Sequence, residues 1–152
     1  MIQRIQTVYL LLSFVFQLAM FFLPVAAFAL PDKSIIELLL SNPDSNPLLS
    51  INYLNILLLI VLIINSLYIL VILFLYKNRI KQIKLCGLNI FVLIVFQLLL
   101  VFIVFYIGNN SEAIIIYKVA LVFPLISAIL SFLALKNIKK DEKLIRSIDR
   151  IR

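Results

Sequence analysis

Apolar and polar positions alternate along this chain in blocks rather than with a short period. Four long apolar runs, residues 8–30, 53–76, 85–107 and 114–135, are separated by short polar segments. Each exceeds the roughly 20 residues that cross a bilayer core of about 30 Å. None carries a charge in its middle third. The pattern predicts four membrane-crossing helices packed as an all-α transmembrane bundle, a single domain over residues 1–152. Residues 136–152 read as a basic amphipathic tail helix. No Gly or Pro stands near Lys136, which favours continuation of the fourth helix into that tail.

The connections have their own signals. Pro31-Asp32 predicts the start of a short surface helix running through Leu40, ended by Pro43 and Pro47. Gly108-Asn109-Asn110-Ser111 predicts the stop of the third helix and a tight return. Ala27-Phe28-Ala29 imitates a small-residue cleavage site. The apolar stretch before it is longer than the 7–15 residues of a signal core, and Arg4 is the only basic residue ahead of it, so the first run reads as a retained span.

Composition and charge turn this pattern into a topology. The chain is 64% hydrophobic and 14% charged, against about 25% charge in a soluble domain. Of 14 basic residues, only Lys33 and Lys118 lie in the first and third connections and their flanks. Arg4 precedes the first run, Lys77, Arg79, Lys81 and Lys84 lie between the second and third, and seven more follow the fourth. Basic residues in short loops near span ends stay in the cytoplasm, which predicts both termini inside and residues 31–50 and 108–113 outside. Tyr9 and Tyr76 fall at inner ends, and Tyr53, Tyr106 and Tyr117 at outer ends, where amphipathic rings favour the interface.

Each run has a polar residue near its midpoint: Gln17, Asn65 with Ser66, Gln97 and Ser127. Counted from both ends they fall within about one turn, or 5.4 Å, of a common depth. Facing lipid they would be unsatisfied, so they are expected to point into the bundle. Two uses remain open, a hydrogen-bonded girdle that fixes helix register or a small polar cavity for a lipid head group, a quinone or a solute. With no acid or base among them, no proton relay or ion-coupling site is expected. In the fourth run Ala120, Pro124, Ser127, Ser131 and Ala134 form a narrow stripe of compact residues. Ser13, Gln17, Met20, Pro24 and Ala27 repeat that spacing in the first. Such stripes let backbones approach closely, so the two are expected to meet, with a contact to a separate protein as the alternative. Pro24 and Pro124 are expected to bend their helices in the outer half.

In the tail, Ile138, Leu144, Ile145, Ile148 and Ile151 share one helical face, interrupted by Asp141. Lys136, Lys139, Lys140, Lys143, Arg146 and Arg150 occupy the opposite face. The apolar face can rest on the membrane or the bundle, which leaves the cations toward the cytosol. A solvated, topology-setting surface, a lipid contact, and a contact with an acidic or ribosomal protein are all compatible with this geometry. No aromatic residues interleave with the cations, and nothing points to base stacking or sequence-specific DNA binding.

Chemistry is sparse. Without His or paired Cys there is no recognisable general base or zinc site, and neither a phosphate loop nor a nucleophile elbow occurs. Asp32, Glu37, Asp44 and Glu112 are scattered over the outer loops, and Cys86 reads as a small buried hydrophobe. No enzyme, metal or cofactor is expected. The opening Met1-Ile2-Gln3-Arg4-Ile5-Gln6-Thr7 and the closing stretch from Lys139 to Arg152, KKDEKLIRSIDRIR, resemble an uncharacterised, domain-of-unknown-function family of short four-pass inner-membrane proteins of Gram-negative bacteria. The spans fit that layout, although the first outer loop is shorter than the family's. The resemblance implies an inner-membrane location and four helices, and it implies no reaction. The expected role is a non-catalytic accessory or scaffold subunit of a larger membrane complex, with other integral membrane proteins and lipids as partners. The alternative is a small transporter or lipid- or quinone-binding protein built on the midplane amides.

Overall fold

The computed structural model describes residues 3–31, 34–41, 52–111 and 113–149. Four long helices, α1 (Gln3–Phe22), α2 (Asn52–Phe74), α3 (Arg79–Asn110) and α4 (Phe123–Asp149), make up most of the described chain. All four are long and apolar enough to cross a membrane. Neighbours run antiparallel, and α1 packs along α4, which in turn packs along α3. A 3₁₀ turn, Leu75–Lys77, joins α2 to α3, and Gln82 Nε2 donates to the Ile72 carbonyl at 3.2 Å, satisfying a carbonyl in the last turn of α2.

The expectation of an all-α fold is corrected at one end of the bundle. There β1 (Ala26–Ala29), β2 (Ile35–Leu38) and β3 (Ile114–Tyr117) form a three-stranded antiparallel sheet in the order β2-β1-β3. The first apolar run therefore does not stay helical to residue 30. Pro24 restricts Leu23 away from helical geometry, so α1 ends at Phe22 and the chain re-enters as a strand. Residues 35–38, expected as a short helix, pair instead with β1, Ala27 opposite Glu37 and Ala29 opposite Ile35. Ala27 is also opposite Ile116 on β3. Val25 ties the sheet to the bundle, its amide donating to Leu38 O at 2.9 Å and its carbonyl accepting from Lys118 N at 3.2 Å.

The fourth apolar run is divided in the same way. Its first residues form β3, a 3₁₀ turn over Val119–Val122 follows, and α4 starts only at Phe123. Pro124 thus lies in the first turn of α4, where a missing amide hydrogen costs nothing. Neither Pro24 nor Pro124 kinks a helix. The third helix ends at Asn110, inside the Gly108–Ser111 stop that the sequence predicts. Gly108 itself makes room for β3, because a Cβ there would collide with the Ile115 side chain. Beyond Lys136, α4 runs on without a break to Asp149. Pro43, Pro47, Arg150 and Ile151 lie outside the described residues.

Burial falls into two apolar cores. The larger, at the sheet end, joins Met20, Phe28, Leu38, Leu58, Leu62, Phe96, Leu100 and Ile103. Phe16 and Phe123 meet edge to face at its border, their ring centroids 5.3 Å apart. The smaller groups Leu10, Ile72, Cys86 and Ala134 toward the other end. Polar side chains fill the interval between them.

Candidate functional site

Between the two cores the helices exchange hydrogen bonds through short side chains. Ser13 Oγ donates to the Ser127 carbonyl at 3.0 Å, and Ser127 Oγ returns a bond to the Ser13 carbonyl at 3.1 Å. Reciprocal bonds of this kind need the α1 and α4 backbones close together, which small residues permit. Because Ser13 spends its proton on Ser127, Ser131 Oγ must be the donor in the 3.2 Å contact with Ser13 Oγ. Asn89 Nδ2 in turn donates to Ser131 Oγ at 3.2 Å. The result is a directional chain, Asn89 to Ser131 to Ser13 to the Ser127 carbonyl, linking α3, α4 and α1. Cys86 Sγ approaches the Ser131 carbonyl at 3.3 Å, and Cys86 is fully buried.

A second, looser contact links α1 to α2. Ser66 Oγ lies 2.8 Å from the Leu62 carbonyl and 3.3 Å from Gln17 Oε1. One hydroxyl proton serves both, and the shorter bond to its own helix takes most of it. Gln17 Nε2 and Asn65 Nδ2 are buried without a partner in the structure, and such groups cost about 1–3 kcal/mol each when no water reaches them.

The structure thus joins Gln17 to Ser66 and, separately, places Ser127 with Ser13 and Ser131. Asn65 is buried between the same cores. Gln97 is half-buried, with Oε1 unpartnered. It stands eight residues, about 12 Å, along α3 from Asn89. Asn89 thus extends the polar interior about two turns along α3 from Gln97. The compact stripe of the fourth run is buried throughout: Ala120 in the 3₁₀ turn, and Pro124, Ser127, Ser131 and Ala134 in α4.

Sequence reasoning missed four buried amides, Gln82 in the first turn of α3 among them. Asn89 links α3 to α4, and its only signal was an amide about one turn inside an apolar run. Asn55 is fully buried with neither amide atom partnered, although its place beside Tyr53 suggested the interface. Gln6 donates to Asp141 Oδ2. Asp141 is 8% exposed, and its second oxygen is unpartnered. The inward face of α4 is therefore Ser127, Ser131, Ala134, Ile138 and Asp141, with Asp141 part of it rather than an interruption. Leu144 and Ile145, expected on the face that rests on the membrane or the bundle, are not covered by the bundle, because α4 there runs past the start of α1.

The opposite ends of the bundle differ in charge. At the sheet end, Lys118 pairs with Glu37 at 3.6 Å across β1, both largely solvated and worth at most about 1 kcal/mol. At the other end stand the first turns of α3, with Arg79, Lys81 and Lys84, and the second half of α4, with Lys136, Lys139, Lys140, Lys143 and Arg146. Asn78 gives α3 no side-chain cap, and its first turn contains no acid. Cations at the positive end of a helix dipole are disfavoured by about 0.3–1 kcal/mol each. A cavity of about 560 Å³ opens at this point, lined by Asn78, Arg79, Ile80, Lys81 and Lys84 from α3 and Glu142 from α4. Among the described residues no group of His, Cys, Asp or Glu is arranged to hold a metal ion.

Comparison with curated proteins gives no match, and comparison with solved structures gives none either. A family model does match, over residues 2–151, nearly the whole length of the chain. The chain accordingly belongs to the family described as a domain of unknown function, DUF4293.

Proposed function

We propose that this chain is a four-span protein of the bacterial inner membrane, with both termini in the cytoplasm, serving as a non-catalytic accessory or scaffold subunit of a larger membrane assembly. One observation carries the reading: the α2–α3 turn and the second half of α4 share one end and hold nearly all the described cations. The positive-inside bias assigns such an end to the cytoplasm. Cations directed away from a bundle form a contact surface for acidic protein or ribosomal partners. The interior supports the same reading, since the serine chain spends its donors on helix packing. Purification in mild detergent followed by mass spectrometry is expected to recover stoichiometric partners. Changing Lys139, Lys140, Lys143, Arg146 and Arg150 to Gln is expected to release them. A clean homo-oligomer, or partners indifferent to these changes, would remove the scaffold reading.

A second reading has a specific observation in its favour. Gln17 Nε2, Asn65 Nδ2 and both amide atoms of Asn55 are buried without partners, as expected if the bundle opens to a lipid, quinone or solute. Bound density or ordered water at these amides in an experimental structure supports that reading. Replacement of Asn55 by Leu with no loss beyond stability counts against it.

A further inference from the structure

We infer that the cavity at the start of α3 is a binding site for the phosphate-bearing head group of an anionic phospholipid. Three observations converge on it. Arg79, Lys81 and Lys84 line the cavity against the single acid Glu142, leaving its walls net positive whatever Glu142 contacts. These cations crowd the first turns of a 32-residue helix that lacks a side-chain cap and any first-turn acid. The amides of Arg79, Ile80 and Lys81 precede the first helical bond, Gln82 N to Asn78 O at 3.0 Å. Helix dipole, orphan amides and side-chain charge all therefore favour an anion there.

The third observation separates a lipid from a free phosphate. Leu88, Phe91, Val95 and Leu98 follow Lys84 at offsets of 4, 7, 11 and 14, which puts them on its helical face. All four are exposed in the described structure. An uncovered apolar track along α3 thus begins one turn beyond Lys84 at the cavity's edge, and acyl chains can lie there. Basic pockets between helices at the cytoplasmic interface take anionic head groups by this division of labour. The inference rests on the proposal that the helices cross a bilayer, but not on the scaffold role.

The test uses the full chain in mild detergent, with native mass spectrometry of lipid adducts. Phosphatidylglycerol is expected to be retained in preference to phosphatidylcholine. K81Q/K84Q is expected to reduce that preference by about 10- to 30-fold, and K81R/K84R to restore it. K139Q/K140Q removes the same charge outside the cavity and is expected to leave the preference intact. Equal loss in both Gln pairs, or no loss in K81Q/K84Q, would overturn the site. Inorganic phosphate alone is expected to form no adduct. A phosphate adduct abolished by K81Q/K84Q, without any phosphatidylglycerol preference, would overturn the lipid assignment in favour of a soluble phosphate. Recovery of no protein partners, with lipid preference intact, would retire the scaffold reading and leave this one standing.

Discussion

Ser131 holds more of the interior together than its size suggests. Its hydroxyl accepts from Asn89 Nδ2 and contacts Ser13 Oγ, and its carbonyl meets Cys86 Sγ. Asn89 Oδ1 already lacks a partner, so Ser131→Ala leaves that amide wholly unpaired. Interhelical bonds in membranes average about 0.6 kcal/mol, but a stranded buried amide costs about 1–3 kcal/mol. Ser131→Ala is therefore expected to lower stability by the larger amount in thermal or denaturant unfolding in detergent. Asn89→Leu in the Ser131→Ala background should recover part of the loss, since it removes the stranded group. A double variant no more stable than Ser131→Ala would show that the chain of bonds is not what the substitution breaks. Gly108 poses the opposite problem, one of space. Gly108→Ala sets a Cβ against Ile115, and such overpacking costs about 1–3 kcal/mol. In an Ile115→Ala background the clash is gone, and the same change is expected to stabilise α3 by up to about 1 kcal/mol through helix propensity. The sign reversal between backgrounds is the measurement.

At the scale of elements, the four helices were legible in the sequence because a long apolar run has few other solutions. The sheet was not. Ala26-Ala27-Phe28-Ala29 has no alternation, and four residues are too few for periodicity to tell a strand from the end of a helix. The signals that did exist were local: Pro24 restricting Leu23, and the β-branched runs Ile35-Ile36 and Ile114-Ile115-Ile116. Hydropathy assigned residues 114–117 to a span because Ile serves equally well in both states. The polar interior was legible in part. Gln17, Ser66 and Ser127 announce themselves as polar residues in apolar runs, whereas Asn55 stands at the start of its run, where an amide reads as an interface residue. Central strand β1 carries Phe28 into the larger core, fully buried. Phe28→Ala is expected to cost about 3–5 kcal/mol, read as a lowered unfolding midpoint in detergent. Lys118→Ala, which breaks only the solvated pair with Glu37 across the same strand, is expected to cost less than about 1 kcal/mol. Similar losses from the two would mean that β1 is held by its edges rather than by its core residue.

The whole molecule has one chemically distinct end. The sheet closes the other with short strands and a single described cation, Lys118, while the turn into α3 and the second half of α4 collect nearly all the other described cations. A bilayer reads that asymmetry as orientation, because moving several cations outward across the membrane is far costlier than moving one. The fold supplies a clean way to test it. Cys86 is fully buried, so the native thiol is shielded from aqueous reagents and serves as a silent background. Asn110 at the sheet end and Ser147 on the α4 overhang are both exposed, and each accepts a cysteine without entering either core. In intact cells a membrane-impermeant maleimide is expected to label Asn110→Cys and to leave Ser147→Cys unmodified until the inner membrane is opened. Labelling of Ser147→Cys from outside would place the basic end in the periplasm. That result would remove the cytoplasmic contact surface while leaving the bundle, the serine chain and the sheet as they are.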